Sequence, residues 1–167
     1  MGEMNEYSKI KEVAIRSPLQ GFVSEEKLSR EWEPLRFHAK PHLEKAIVEF
    51  NYFRNLLSEE EIEIVDLPSS NLLTIDSIYT RDSILISKAG LILCNMGRES
   101  RTPEANENYR TLAKKGYEIA GQIKAPGTLE GGDFIWIDDN HAAVGLGPRT
   151  NLDGIEQLKK ILGSEVD

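Results

Sequence analysis

Apolar residues recur along this chain with two different periods, and the switches between them mark its elements. Val13-Ala14-Ile15-Arg16, stopped by Ser17-Pro18, reads as a short strand, because proline cannot donate to a ladder. From there to about Glu33 the pattern is polar and weak, which predicts a surface loop or lid. Pro41 then opens a helix on which Leu43, Ala46, Ile47, Phe50, Phe53 and Leu57 share one face, the spacing of a core-facing helix with proline tolerated in its first turn. Ile62-Glu63-Ile64-Val65 alternates into a strand ended by Pro68. Ile78, Ile84-Leu85-Ile86 and Leu91-Ile92-Leu93-Cys94 predict further strands around Lys88-Ala89-Gly90. Thr102-Pro103-Glu104 reads as a cap, a first-turn proline and an acidic first turn, starting a helix that stops at Gly116 before the strand Tyr117-Glu118-Ile119.

The next stretch repeats that order. A strand from Phe134 to Ile137, a turn at Asp138-Asp139-Asn140, a strand from Ala142 to Leu146 and a helix carrying Leu152, Ile155, Leu158, Ile161 and Leu162 lead to Gly163. Arg101-Thr102 and Arg149-Thr150 stand at one offset, 149 − 101 = 48, and Gly116 and Gly163 at another, 163 − 116 = 47. A near-constant offset is the signature of a repeated strand-strand-helix-strand unit. By the same repeat a strand is expected after Gly163, so residues 1–167 are expected to form the N-terminal part of something longer, whose remaining units cover an exposed edge.

Composition narrows the function classes. The 167 residues are 40% hydrophobic and 29% charged, ordinary for a globular chain. A net charge of -8 without a basic cluster argues against nucleic acid, whose phosphates need a cationic face, and suits a cationic ligand. No apolar run approaches a spanning helix and the N-terminus carries no secretory pattern, so no membrane partner and a cytoplasmic location are expected. A single cysteine, Cys94, excludes an internal disulfide framework and a cysteine-rich zinc site. His38, His42 and His141 lack metal-ligand spacing, so neither a metal nor a cofactor is expected.

The stretch richest in chemistry is Leu129-Glu130-Gly131-Gly132-Asp133, with Gly145-Leu146-Gly147-Pro148-Arg149-Thr150-Asn151 beyond the next hairpin. Two acids around two glycines can let backbone approach a ligand, and a tight turn whose acids cap local N–H groups is an equal reading. Asp76 and Asp82 are an even number of residues apart. In an extended chain both would face one side and could bracket a planar guanidinium, although solvated strand acids are the commoner explanation. Arg101 and Arg149 mark strand-to-helix handovers and could grip a carboxylate bidentately, or simply lie on the surface. Cys94, inside a run of leucine and isoleucine, reads as a buried small hydrophobe rather than a nucleophile.

These residues resemble the guanidino-group-modifying superfamily of arginine deiminases, dimethylarginine dimethylaminohydrolases and amidinotransferases. The likeness runs from Val13-Ala14-Ile15-Arg16-Ser17-Pro18 through Val65-Asp66-Leu67-Pro68, Asp76 to Asp82 and Arg101 to the acidic motif and Arg149-Thr150-Asn151. It is nearest the dimethylaminohydrolase branch, while Thr80-Arg81-Asp82 is more similar to the deiminase form. The resemblance implies a five-bladed α/β propeller of strand-strand-helix-strand modules, of which this chain is the first half. It implies that Asp76 and Asp82 bind the guanidinium, Arg101 and Arg149 the α-carboxylate, that Leu19 lies on a loop near the site, and that Glu130 orients a histidine, supported by Gly131, Gly132 and Asp133. Asp82, Glu130 and Arg149 are expected to meet in one cleft.

The family's nucleophilic cysteine and its histidine fall, by the same resemblance, beyond Asp167, so the chain alone is expected to be inactive. The implied whole is a hydrolase of arginine-like amidines using cysteine, histidine and glutamate, or an amidinotransferase. The alternative is a non-catalytic module that binds arginine-like ligands. Its implied partners are a small arginine-like molecule, the missing half or a second chain, and in one reading further copies of itself.

Overall fold

The computed structural model describes residues 5–167. They form two compact units, one of residues 9–80 and one of residues 5–8 with 81–167.

In the first unit, strands β1 (Glu12–Ile15) and β2 (Glu63–Asp66) pair in parallel, Val13 opposite Ile64. Residues 17–33, expected to be a loop, instead hold two helices, α1 (Pro18–Gly21) and α2 (Glu25–Glu31). The reason is capping rather than periodicity. Ser24 accepts a bond from the Lys27 N–H at 3.2 Å, and Glu25 and Glu26 oppose the helix dipole in the first turn. Leu28 is the one buried residue of α2, packed with Phe22 and Ile75, and one apolar residue leaves no readable period.

Helix α3 (Leu43–Glu59) forms where its spacing predicts, but its apolar face is not the core face expected, since no residue of it is buried. Leu43 and Ala46 pack on the Phe22 cluster, while Val48, Tyr52 and Phe53 are exposed. A two-stranded sheet and short helices are too small to cover 17 helical residues. Ile78, expected in a strand, lies in a 3-10 turn of Ile75–Ile78.

The second unit is built from repeated modules. Strands β3 (Ile84–Ser87) and β4 (Gly90–Leu93) are antiparallel, Leu85 opposite Ile92, and β5 (Ile119–Gln122) lies parallel on the other edge of β4 after helix α4 (Glu104–Lys114). Every residue of β4 is buried, the mark of a strand covered on both faces. Gly90 is required here: its φ is +131° and a Cβ would sit 2.6 Å from the Glu118 carbonyl oxygen. Thr102 is not the helix cap that the sequence suggested. Pro103 holds that position, and the Thr102 hydroxyl donates to the Glu99 carbonyl at 2.8 Å. Strand β5 begins at Ile119 rather than Tyr117.

The next module repeats the order with β6 (Phe134–Asp138), β7 (His141–Val144) and α5 (Leu152–Leu162), which ends at Gly163 with φ +84°. Ile92, Cys94, Ile123, Leu129, Phe134 and Leu158 form the shared core. The architecture is mixed α/β. Among the described residues, no helix is long and apolar enough to cross a membrane.

Candidate functional site

Two tight turns set the acids. Thr80–Ser83 is a 3-10 turn running directly into β3, and Gly131–Asp133 is a 3-10 turn running directly into β6. Asp82 and Glu130 thus stand just before the first strands of successive modules. The arginines stand after the second strands: Arg101 closes the turn Glu99–Arg101 before α4, and Arg149 lies between β7 and α5.

The extended-chain argument for Asp76 and Asp82 fails. Both sit in 3-10 turns, where alternation of faces does not apply. They also belong to different units, as Leu19 and Asp82 do. In its own unit Asp76 is buried. Leu19 lies on the helix α1 rather than a loop, with its side chain largely exposed.

In the second unit the structure brings Asp82, Arg101, Glu130 and Arg149 into one connected cluster. Arg101 Nη1 donates to Asp82 at 2.8 Å and lies 4.0 Å from Glu130. Arg149 Nη1 donates to both Glu130 oxygens at 3.0 Å. Arg101 is only 3% exposed, whereas the Asp82 and Arg149 side chains are 22% and 32% exposed, so the cluster opens to solvent at its two ends. Burial works against the charge on Arg101, but bonds from Glu104 and then Asp82 outweigh it and raise the guanidinium's pKa further.

The acidic motif is braced from behind. The Glu130 N–H donates to Thr150 Oγ1 at 3.1 Å, and that hydroxyl donates to Asp133 at 2.7 Å. The Gly97 N–H donates to Glu130 Oε1 at 3.1 Å, and a Cβ on Gly97 would lie 2.7 Å from Arg149 Cα. Gly132 lies against the Asp82 carboxylate, where a Cβ would meet Oδ1 at 2.6 Å. Gly132, and Gly131 against the Arg81 carbonyl oxygen, therefore serve close approach of the Asp82 turn.

Sequence reasoning missed two members of this group. Glu104, read only as a first-turn acid, is fully buried and grips Arg101 Nε and Nη2 at 2.8 and 2.9 Å. The signal was the Arg-x-x-Glu spacing, which puts both on one helical face. Gly97 carried no signal at all, because its role depends on a segment 52 residues away. With Asp82, Glu104, Glu130 and Asp133 against Arg101 and Arg149, formal charges leave an excess of two negatives. Such a site attracts a cation that also carries an acceptor for arginine.

No histidine or thiol of the unit is in a position to act as it stands. His141 Nδ1 is hydrogen-bonded to the Asp138 carboxylate at 2.8 Å in the exposed β6–β7 turn. Cys94 is buried, and burial, followed by the charges of Asp82 and Glu130, pushes its thiol pKa well above its ordinary value. Among the described residues, no group of three or more His, Cys, Asp or Glu is placed to hold a metal ion. A thiol reagent at neutral pH should therefore label native Cys94 slowly and denatured chain at once; equal rates would overturn this. Because the folded pKa is raised, the stability this neutral thiol provides is complete below pH 9.0 and is lost as pH rises towards its folded value.

A family described as "N,N dimethylarginine dimethylhydrolase, eukaryotic" matches residues 24–166. The chain belongs to this family. Membership of the dimethylarginine dimethylhydrolases places it in the guanidino-group-modifying superfamily and accounts for the turns and arginines repeating together. An N(G),N(G)-dimethylarginine dimethylaminohydrolase of Pseudomonas aeruginosa is 31% identical over 123 residues, covering 74% of this chain and 48% of that protein. A Streptomyces coelicolor protein of the same name is 33% identical over 84 residues, half of this chain and 32% of its own length. The chain thus spans about half or less of the curated dimethylarginine dimethylaminohydrolases it matches.

Solved structures agree. A mutant of the Pseudomonas aeruginosa dimethylarginine dimethylaminohydrolase complexed with citrulline superposes with a TM-score of 0.75 at 26% identity, over 93% of this chain and 57% of that one. An amidinotransferase of Microseira wollei gives a TM-score of 0.75 at 18% identity over 98% of this chain and 60% of its own, which shows the shared fold.

Proposed function

We propose that this chain supplies the ligand-gripping half of an active site for arginine-like amidines. The observation that carries the reading is the Asp82–Arg101–Glu130–Arg149 cluster, which sets an acidic end and a cationic end within one site. A ligand with a guanidinium at one end and an α-carboxylate at the other matches both ends. Asp82 would take the guanidinium. Arg149, the more exposed arginine, is better placed for the carboxylate than Arg101, which Glu104 and Asp82 enclose.

In the whole protein the reaction is hydrolysis through cysteine, histidine and glutamate. A thiolate adds to the guanidinium carbon, a histidine oriented by Glu130 gives the leaving amine its proton, and water releases the product. An amine in place of water would make the same site an amidinotransferase. The cysteine and histidine come from polypeptide outside these residues or from a second, different chain. The repeated modules are blades of a five-bladed propeller of which residues 1–167 form about half, acting in the cytoplasm without metal or cofactor.

One observation favours a second reading, a binding module without chemistry. The cluster forms entirely inside this chain, whose single thiol is buried. Calorimetry with L-arginine and citrulline separates the two. In the completed enzyme, Asp82→Asn should weaken binding by about 1.5–3 kcal/mol, the worth of a charge-assisted hydrogen bond. Glu130→Gln should leave affinity within a few-fold and depress turnover. Wild-type affinity in Asp82→Asn would end the assignment, and ligand binding without turnover in every assembled form would favour the module.

A further inference from the structure

The buried face of α4 carries an asparagine where an apolar side chain would pack better. Glu104, Ala105, Asn108 and Leu112 are its buried residues, spaced along one helical face. Glu104 is bonded to Arg101, and Asn108, only 2% exposed, sits midway along the stripe. A buried amide costs free energy unless its hydrogen bonds are made. Asn108 Nδ2 donates to Ser83 Oγ at 2.8 Å, and Ser83 has no exposed surface, so this bond is closed to water.

Ser83 is the neighbour of Asp82 in the turn Thr80–Ser83. The turn is therefore held at two adjacent points. Arg101 Nη1, just before α4, donates to Asp82 Oδ2 at 2.8 Å, and Asn108, on α4, donates to Ser83. A single attachment sets the distance of a carboxylate but lets the turn swing about it; a second, one residue on, removes the swing. It also sets which oxygen is presented, since Oδ2 takes the Arg101 bond and Oδ1 lies beside Gly132. Other contacts of the turn do this less well. The Cys94 N–H donates to the Ser83 carbonyl at 3.0 Å and continues the β3–β4 ladder, which fixes where the strand begins and not how the turn before it is rotated. Arg81 Nη2 donates to the Phe134 carbonyl at 2.9 Å, but its side chain is 57% exposed and water competes for the bond.

We propose that Asn108 is a positioning residue for Asp82, acting through the Ser83 hydroxyl, and that it sets the direction of the carboxylate that meets a guanidinium. The role of the guanidinium rests on the function proposed above, whereas the placement of Asp82 does not.

Asn108→Ala and Ser83→Ala, each made in the whole chain, test this by NMR of the Arg101 side chain without ligand. Loss of the Asn108–Ser83 bond should let Asp82 swing away from Nη1 part of the time. Exchange of the Nη1 hydrogens with water should then speed roughly fivefold or more, the equivalent of one hydrogen bond. The Nε hydrogen, held by Glu104 at 2.8 Å, should change little. The double variant should lose no more than either single one, because both remove the same bond. Leu112→Ala, on the same buried face, controls for lost packing and should affect Nη1 and Nε alike. Unchanged Nη1 exchange in both single variants, equal acceleration at Nε, or additive losses would overturn the proposal. The readout needs no ligand, so it stands apart from the guanidinium assignment, which Asp82→Asn tests by its affinity for L-arginine.

Discussion

Arg101→Ala is expected to lower the unfolding free energy by about 3–5 kcal/mol, because it leaves a buried carboxylate without its cation. Glu104 has no exposed surface, and two of its bonds, at 2.8 and 2.9 Å, go to Arg101. Asp82 loses its 2.8 Å partner at the same stroke. Removing the cation therefore costs more than the bonds themselves, since the buried charge at Glu104 loses the guanidinium that offsets its desolvation. Urea denaturation of the variant measures the loss. Arg101→Ala with Glu104→Gln should recover part of it, because a neutral amide tolerates the same burial better. A loss below 1 kcal/mol in the single variant would show that Arg101 does not hold this cluster together.

Gly131→Ala is the second large effect expected. Its Cβ would lie 2.3 Å from the Arg81 carbonyl oxygen and 3.2 Å from Leu85 Cδ2. The obstacle is backbone, which cannot rotate out of the way, so the two acid-bearing turns must move apart. Overpacking of this kind costs about 1–3 kcal/mol. It should also spread Asp82 from Glu130, so ligand affinity should fall together with stability. Gly147→Ala is the matched control, since its Cβ would meet nothing within 4 Å, and it should be neutral or stabilising by a few tenths of a kcal/mol. Comparing the thermal midpoints checks both, and a silent Gly131→Ala would contradict the packing described for the acidic motif.

Both effects rest on contacts that local pattern could not express. The repeat was legible in the sequence because each module must bury the same faces, and Leu85 and Phe134, in the first strands of successive modules, do so in one core. The α5 helix was legible to its last residue, where Gly163 takes a positive φ. Helix α2 was not, for it is held by the Ser24 cap, one buried apolar residue, Leu28, and long-range bonds of Lys27 to the Leu73 carbonyl and of the Ile75 N–H to Glu31. The exposure of Phe53 was not legible either, because a helical stripe records which residues share a face and not whether anything covers it.

The candidate site divides in the same way. The residue types and their places at strand ends were determined by the sequence alone: Glu130 beside its glycines, Asp82 before β3, Arg101 and Arg149 at equivalent handovers. Tertiary structure decided how they pair. It gave Arg101 to Glu104 and Asp82, gave Arg149 to Glu130, and turned the Asp76 and Asp82 segments into 3-10 turns where a strand would have aligned them. The physical reason is range. Periodicity and turn chemistry report forces that act within a few residues, whereas the partner of a buried charge is chosen by whichever opposite charge module packing brings within about 3 Å, here from 19 residues away in both the Asp82–Arg101 and Glu130–Arg149 pairs.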